Sequence, residues 1–141
     1  MRLDLDSALD LLTRYEAGLL AHINDEETLM LPIYGQRAKP PAGGAVEIFL
    51  GEHEKLRQFI GLFRQEVEKI RTMSDVERGV LFLIDSQHIF KRLLVHHDNR
   101  EKKMLYPLLD EVTNAGEREK ILAQLESNLF LRLRNHKEQE S

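Results

Sequence analysis

The chain has 141 residues, long enough for one domain with a proper core and too short for two. Hydrophobic residues make up 42%, charged residues 31%, and the net charge is -4, which excludes a disordered chain and gives no basic excess for nucleic acid. Cys is absent, which excludes disulfides and thiolate ligands, and no apolar run reaches membrane-spanning length. The expectation is a single cytoplasmic domain over 1–141 with no nucleic-acid or membrane partner. The acids within the apolar pattern of the N-terminus are unlike a signal peptide.

The first helix is expected over 5–31, capped by Asp4 or Asp6. Its apolar-spaced stripe reads Leu9, Leu12, Leu19, His22, Glu26, Leu29. A loop over 32–44 follows, because three of the four prolines and two adjacent glycines fall there. The second helix, 45–70, alternates steps of three and four without a break: Val46, Phe49, His53, Leu56, Ile60, Phe63, Val67, Ile70. Ser74 and Glu77 have capping-box spacing and open the third helix. Its stripe is Val80, Leu83, Gln87, Phe90, Leu94, His97, Glu101, Met104, Leu108, and Pro107 should kink or end it. The fourth helix, 117–136, carries Leu122, Leu125, Leu129, Leu133 and His136, and 137–141 reads as a frayed tail. Four amphipathic helices with mostly short connections imply an all-α, antiparallel up-down four-helix bundle.

Five polar residues fall on core-facing stripes: His22, Glu26, His53, His97 and Glu101. Ionised groups in such a core are costly unless paired or bound to a metal. A single His-x-x-x-Glu is more often a solvated pair. Two of them on core stripes, each followed by a Pro ten residues after its His, need a common explanation. Counting residues from the turns puts His22 level with His53, and His97 within one turn of both. His88 lies further off and on the opposite face, and His96 sits beside the seam. Imidazole and carboxylate on facing helices are the ligand set of non-haem di-iron or di-manganese centres. Glu27 and Glu54 read as a solvated face or as acceptors for ligand His N–H groups.

The stretches His22–Pro32, "GEHEKL" (51–56) and 93–109 together resemble the hemerythrin-like HHE cation-binding family. The resemblance implies a four-helix bundle around a non-haem di-iron site. It carries over His22, Glu26, His53, His97 and Glu101 as metal ligands, with Glu26 and Glu101 bridging. A single Fe, Mn or Zn is the alternative content. Relatives usually open with a helix that supplies another His, and here no His precedes His22. The fourth helix could fill that place in a permuted bundle with Glu126 or His136; Tyr15, Tyr106 or a partner chain could also complete the site. Arg57 stands where some relatives carry a carboxylate. The implied roles are binding of O₂ or NO, sensing, or iron storage and iron-centre repair, and a homo-oligomer is compatible with all of them. The rival readings are a di-iron enzyme that reduces peroxide or NO, and a metal-free helical interaction module.

Overall fold

The computed structural model describes residues 5–72 and 74–140, and within them all side chains except those of 5, 6, 8, 9, 136, 139 and 140. Of the expected caps, Asp4 lies outside the described residues, and Asp6 falls inside the first helix with its side chain undescribed. All the regular structure described is helical. Helix α1 spans Leu5–Asp25, and α2 spans Leu31–Arg37. Helices α3 (Val46–Thr72) and α4 (Val76–Arg100) follow, then α5 (Tyr106–Val112) and α6 (Ala115–Glu140). A π turn, Glu26–Met30, joins α1 to α2, and a second, Glu101–Leu105, joins α4 to α5. The chain is thus a bundle of four long helical arms: α1–α2, α3, α4–α5 and α6.

The two π turns correct the expected ends of the first and third helices. Proline has no N–H and crowds the carbonyl four residues back, so Pro32 and Pro107 oppose a regular α turn. A turn with one extra residue relieves the conflict. The N–H of Leu31 bonds the carbonyl of Glu26, and the N–H of Tyr106 bonds that of Glu101. Each Pro then sits in the first turn of a new helix, where its missing N–H costs nothing. The loop expected over 32–44 is correspondingly short, since α2 runs to Arg37. Gly43, at φ 89°, makes the turn that leads into α3.

Two other boundaries shift for capping reasons. Asp75, rather than Ser74, caps α4, its side chain accepting from the Arg78 N–H at 3.1 Å. Helix α6 starts two residues early, because Asn114 and Glu117 cap each other reciprocally at 2.8 and 3.2 Å. It runs on to Glu140, through most of the tail expected to fray.

The seam of α3 is buried as its periodicity requires, from Phe49 through His53, Leu56, Ile60, Phe63 and Val67 to Ile70. Two apolar clusters flank a polar layer. Ile23, Leu56, Ile60, Phe63 and Phe90 pack on one side. Leu31, Tyr34, Phe49, Leu105 and Leu109 pack on the other. Helix α1 differs from its expected stripe: its buried line runs through Glu16, Ile23 and Glu26, and His22 sits on the shoulder, half exposed. Helix α6 lies along the outer side of α1, tied by Asn128 to Asp25 at 2.8 Å. None of its described side chains is fully buried, and Leu122, Leu129 and Leu133 are exposed.

Candidate metal centre

The polar layer is built from three helical arms. Glu26 opens the first π turn, Glu101 opens the second, His53 comes from the middle of α3, and His97 from the last turn of α4. One donor atom from each of these four residues lies within 4.8 Å of the other three. All four side chains are buried to 1% exposure or less. Donors at about 2.1 Å from one ion stand at most about 4.2 Å apart, so small side-chain movements would close the group on a cation.

Glu26 is the centre of the arrangement. Its Oε1 lies 2.6 Å from His22 Nε2, and its Oε2 lies 3.0 Å from His53 Nε2. His97 Nε2 lies 3.1 Å from Glu101 Oε1 and 3.9 Å from Glu26 Oε2, with neither aligned for a hydrogen bond. The Tyr106 hydroxyl reaches back over the π turn, 3.1 Å from Glu26 Oε1 and 3.4 Å from Glu101 Oε2. The extra residue in that turn is what stands Tyr106 one turn above Glu101.

Each buried His is held from behind. His53 Nδ1 pairs with Glu27 Oε2 at 3.0 Å, and Glu27 in turn accepts from Arg57 at 2.7 Å. His97 Nδ1 pairs with Glu52 Oε1 at 3.3 Å, and Glu52 accepts from Arg100 at 3.1 Å. Arg100 also donates to the carbonyl of Gly43 at 2.6 Å, which fastens the α2–α3 loop to the site. With a cation bound, a proton kept on each Nδ1 by its Glu would turn the Nε2 lone pair to the ion, the tautomer that metal-binding imidazoles need; without one, Nε2 of His53 can donate to Glu26 instead.

This network carries four carboxylates (Glu26, Glu27, Glu52, Glu101) against two guanidinium groups (Arg57, Arg100). With neutral imidazoles the formal sum is -2, an unfavourable charge to bury. A divalent cation would cancel it. Protons do so otherwise. Burial lowers the affinity of His97 for a proton, but Glu101 and Glu52 outweigh it and push the imidazole up to about 9. Burial and the adjacent Glu26 raise the Glu101 carboxyl. Burial alone would raise Glu26 as well; hydrogen bonds from His22, His53 and Glu101 overcome it and hold Glu26 below the usual carboxylate range. His22 is raised by its bond to Glu26.

A buried His/Glu cluster with an orphaned imidazole nitrogen fits a cation, and residues 2–109 match the family described as hemerythrin HHE cation binding domain. The chain belongs to the hemerythrin HHE family. No curated protein and no solved structure matched it. Membership and the buried cluster together make the polar layer of this hemerythrin-like bundle a cation-binding site. Among the described residues no helix is long and apolar enough to cross a membrane.

The structure brings four of the five sequence-derived candidates into one buried group and places the fifth, His22, against Glu26 at its exposed edge. Helix α6 does not bring Glu126 to the group; that residue is exposed, and the His136 side chain is outside the described residues. Tyr15 stays away from the group, exposed and edge-on to Phe90 of the neighbouring apolar cluster at 6.4 Å. Arg57 holds Glu27 rather than standing in for a ligand. Glu54 is exposed beside Arg57, while Glu27 is the acceptor for His53. Glu52 escaped the sequence reading. Its signal was present: it lies three residues after Phe49 and four before Leu56, on the buried seam of α3.

Proposed function

We propose that this hemerythrin-like domain holds non-haem iron, two ions per chain, and offers the open edge of the centre to O₂ or NO. His22, His53 and His97 are the terminal ligands in this reading, and Glu26 and Glu101 bridge. The observation that carries it is the Glu26 carboxylate, whose two oxygens face two different imidazoles, His22 and His53. A carboxylate so placed suits two adjacent ions, about 3.5–4 Å apart in bridged sites. The absence of thiolate excludes a Cys-rich structural zinc site, and imidazole with paired carboxylates on facing helices is the ligand set of di-iron bundle centres. The half-exposed His22 marks the side from which a small diatomic would enter. The bound iron would supply the redox and ligand-binding chemistry; the chain's own residues hold it, fix the imidazole tautomers and close the apolar sides. The role is then sensing, storage, or delivery for iron-centre repair. Iron content per chain, with an optical spectrum before and after adding NO or azide, tests this. A spectrum indifferent to every small ligand would remove the open position.

An enzyme that reduces peroxide or NO is the second reading. It is favoured by the Tyr106 hydroxyl, an O–H donor poised 3.1 Å from Glu26. Peroxide turnover well above that of free iron, lost in Tyr106→Phe with iron content unchanged, would select it. A metal-free interaction module would melt at a temperature indifferent to chelator.

A further inference from the structure

Away from the metal centre, α1 and α4 both pack on α3 but leave a groove between them. It holds about 470 Å³ and is floored by Ile60, Phe63 and Phe90. Leu11 and Tyr15 form one rim and Lys91 the other. Glu16 points into this groove with 1% exposure. Arg64 holds its Oε2, while its Oε1 has no hydrogen-bond partner. Water or a donor entering the groove could satisfy this buried acceptor.

The surface as a whole is too large for a compact monomer. It measures 9863 Å², where a compact chain of 16.4 kDa exposes about 7,500 Å². Summed over two chains, the excess falls in the range that obligate homodimers bury, about 2,000–5,000 Å² in total. Large apolar side chains account for much of it. Leu11 and Tyr15 stand exposed at the groove rim, and Leu122, Leu129, Phe130 and Leu133 along α6.

These two faces are both apolar and do not meet within the chain, since no α6 residue lines the groove. The α6 stripe is a convex apolar ridge with spacing suited to a bundle seam. The groove is a concave apolar trough between two parallel helices. Helix α6 lies along the outer flank of α1, where its Leu131 and Leu133 share a cleft with Arg14, Ala17, Gly18 and Ala21, and not on the flank of Leu11 and Tyr15; Leu122, Leu129 and Phe130 do not line that cleft. Arg134 and Lys137, adjacent to Leu133 and one turn beyond it, bring N–H donors suited to the open oxygen of Glu16.

We propose that a second copy of this chain fills the α1–α4 groove with its α6, reciprocally, in a two-fold dimer. The two contacts are then the same patch pair used twice, and the assembly closes.

Sedimentation of the full chain across a wide concentration range is the test. The expected species has twice the mass of the 16.4 kDa chain. Leu129→Glu with Phe130→Glu on α6, and separately Leu11→Glu at the groove, should each weaken self-association about tenfold or more. All three residues are exposed in the single chain, so helical circular dichroism should be retained. Mixing the α6 variant with the groove variant restores one of the two contacts, and a mixed dimer should appear. A monomeric wild-type chain at every concentration overturns the proposal. So does a dimer that the α6 changes dissolve and the groove change leaves intact, which would instead pair α6 with α6.

Discussion

The two His-x-x-x-Glu arms have one layout in sequence and one backbone device in space, a π turn that starts at the Glu. Their surroundings differ. His97 is sealed against α3, whereas His22 stands half exposed on the shoulder of α1. One turn beyond each Glu the residue also differs. Leu31 fills an apolar cluster, and Tyr106 turns its hydroxyl onto both carboxylates. The repeat supplies a pair of carboxylates, while the packing around it decides which half is sealed and which half is open. The sealed arm fixes the centre; the open arm gives it an edge.

Removing the shared carboxylates should erase the comparison altogether. Glu26→Ala and Glu101→Ala should each leave a chain that retains no metal after gel filtration, because the group loses its central acceptor. Truncating the imidazoles should separate the arms. His97→Ala should abolish metal retention, whereas His22→Ala should keep metal with weaker affinity and a changed response to NO or azide. Equal losses would mean that the two arms anchor equally. One shell further out, Glu52→Gln and Glu27→Gln should each lower metal affinity about 10–100-fold, as measured by competition with a chelator.

The protons that balance the centre give a pH test. His97 is raised above 6.5 to about 9, so its contribution to the metal-free fold is complete below pH 6.5 and is lost as pH climbs through about 9. Glu101, also raised, acts with the same sign at lower pH. Glu26, held low, contributes oppositely and only in acid. The metal-free chain should therefore melt at falling temperature from near-neutral pH towards 9. Metal uptake should show the reverse slope, because binding expels those protons, and it should acidify a weakly buffered solution. The smallest effect expected is that of Tyr106→Phe, which should leave metal content unchanged and move only the optical spectrum and the rate of ligand entry.

Most of this was legible from periodicity. The α3 seam contains His53 at a position that an apolar residue would otherwise hold, and counting from the turns placed it level with His22 and His97. What stayed hidden has physical causes. Periodicity of 3.6 cannot anticipate a π turn, so Pro32 and Pro107 read as ends when they are phase shifts into α2 and α5. The shoulder position of His22 depends on Ile23 taking the core, a choice between neighbours about 100° apart that spacing does not resolve. Glu52 stands about 100° round the helix from His53, so the stripe through His53 does not single it out, although both lie on the buried side of α3. The docking of α6 on the outer flank of α1 has no signature in its leucine spacing, which fits a buried seam.

The most direct test of the centre is metal content per chain, on protein loaded anaerobically with Fe(II) and freed of loose metal. The account predicts two irons in the wild-type chain, near-ultraviolet charge-transfer absorption after exposure to air, and neither in Glu26→Ala. One iron per chain would contradict the bridging role of Glu26 and Glu101. No retained metal, with a melting temperature indifferent to chelator, would contradict the centre itself.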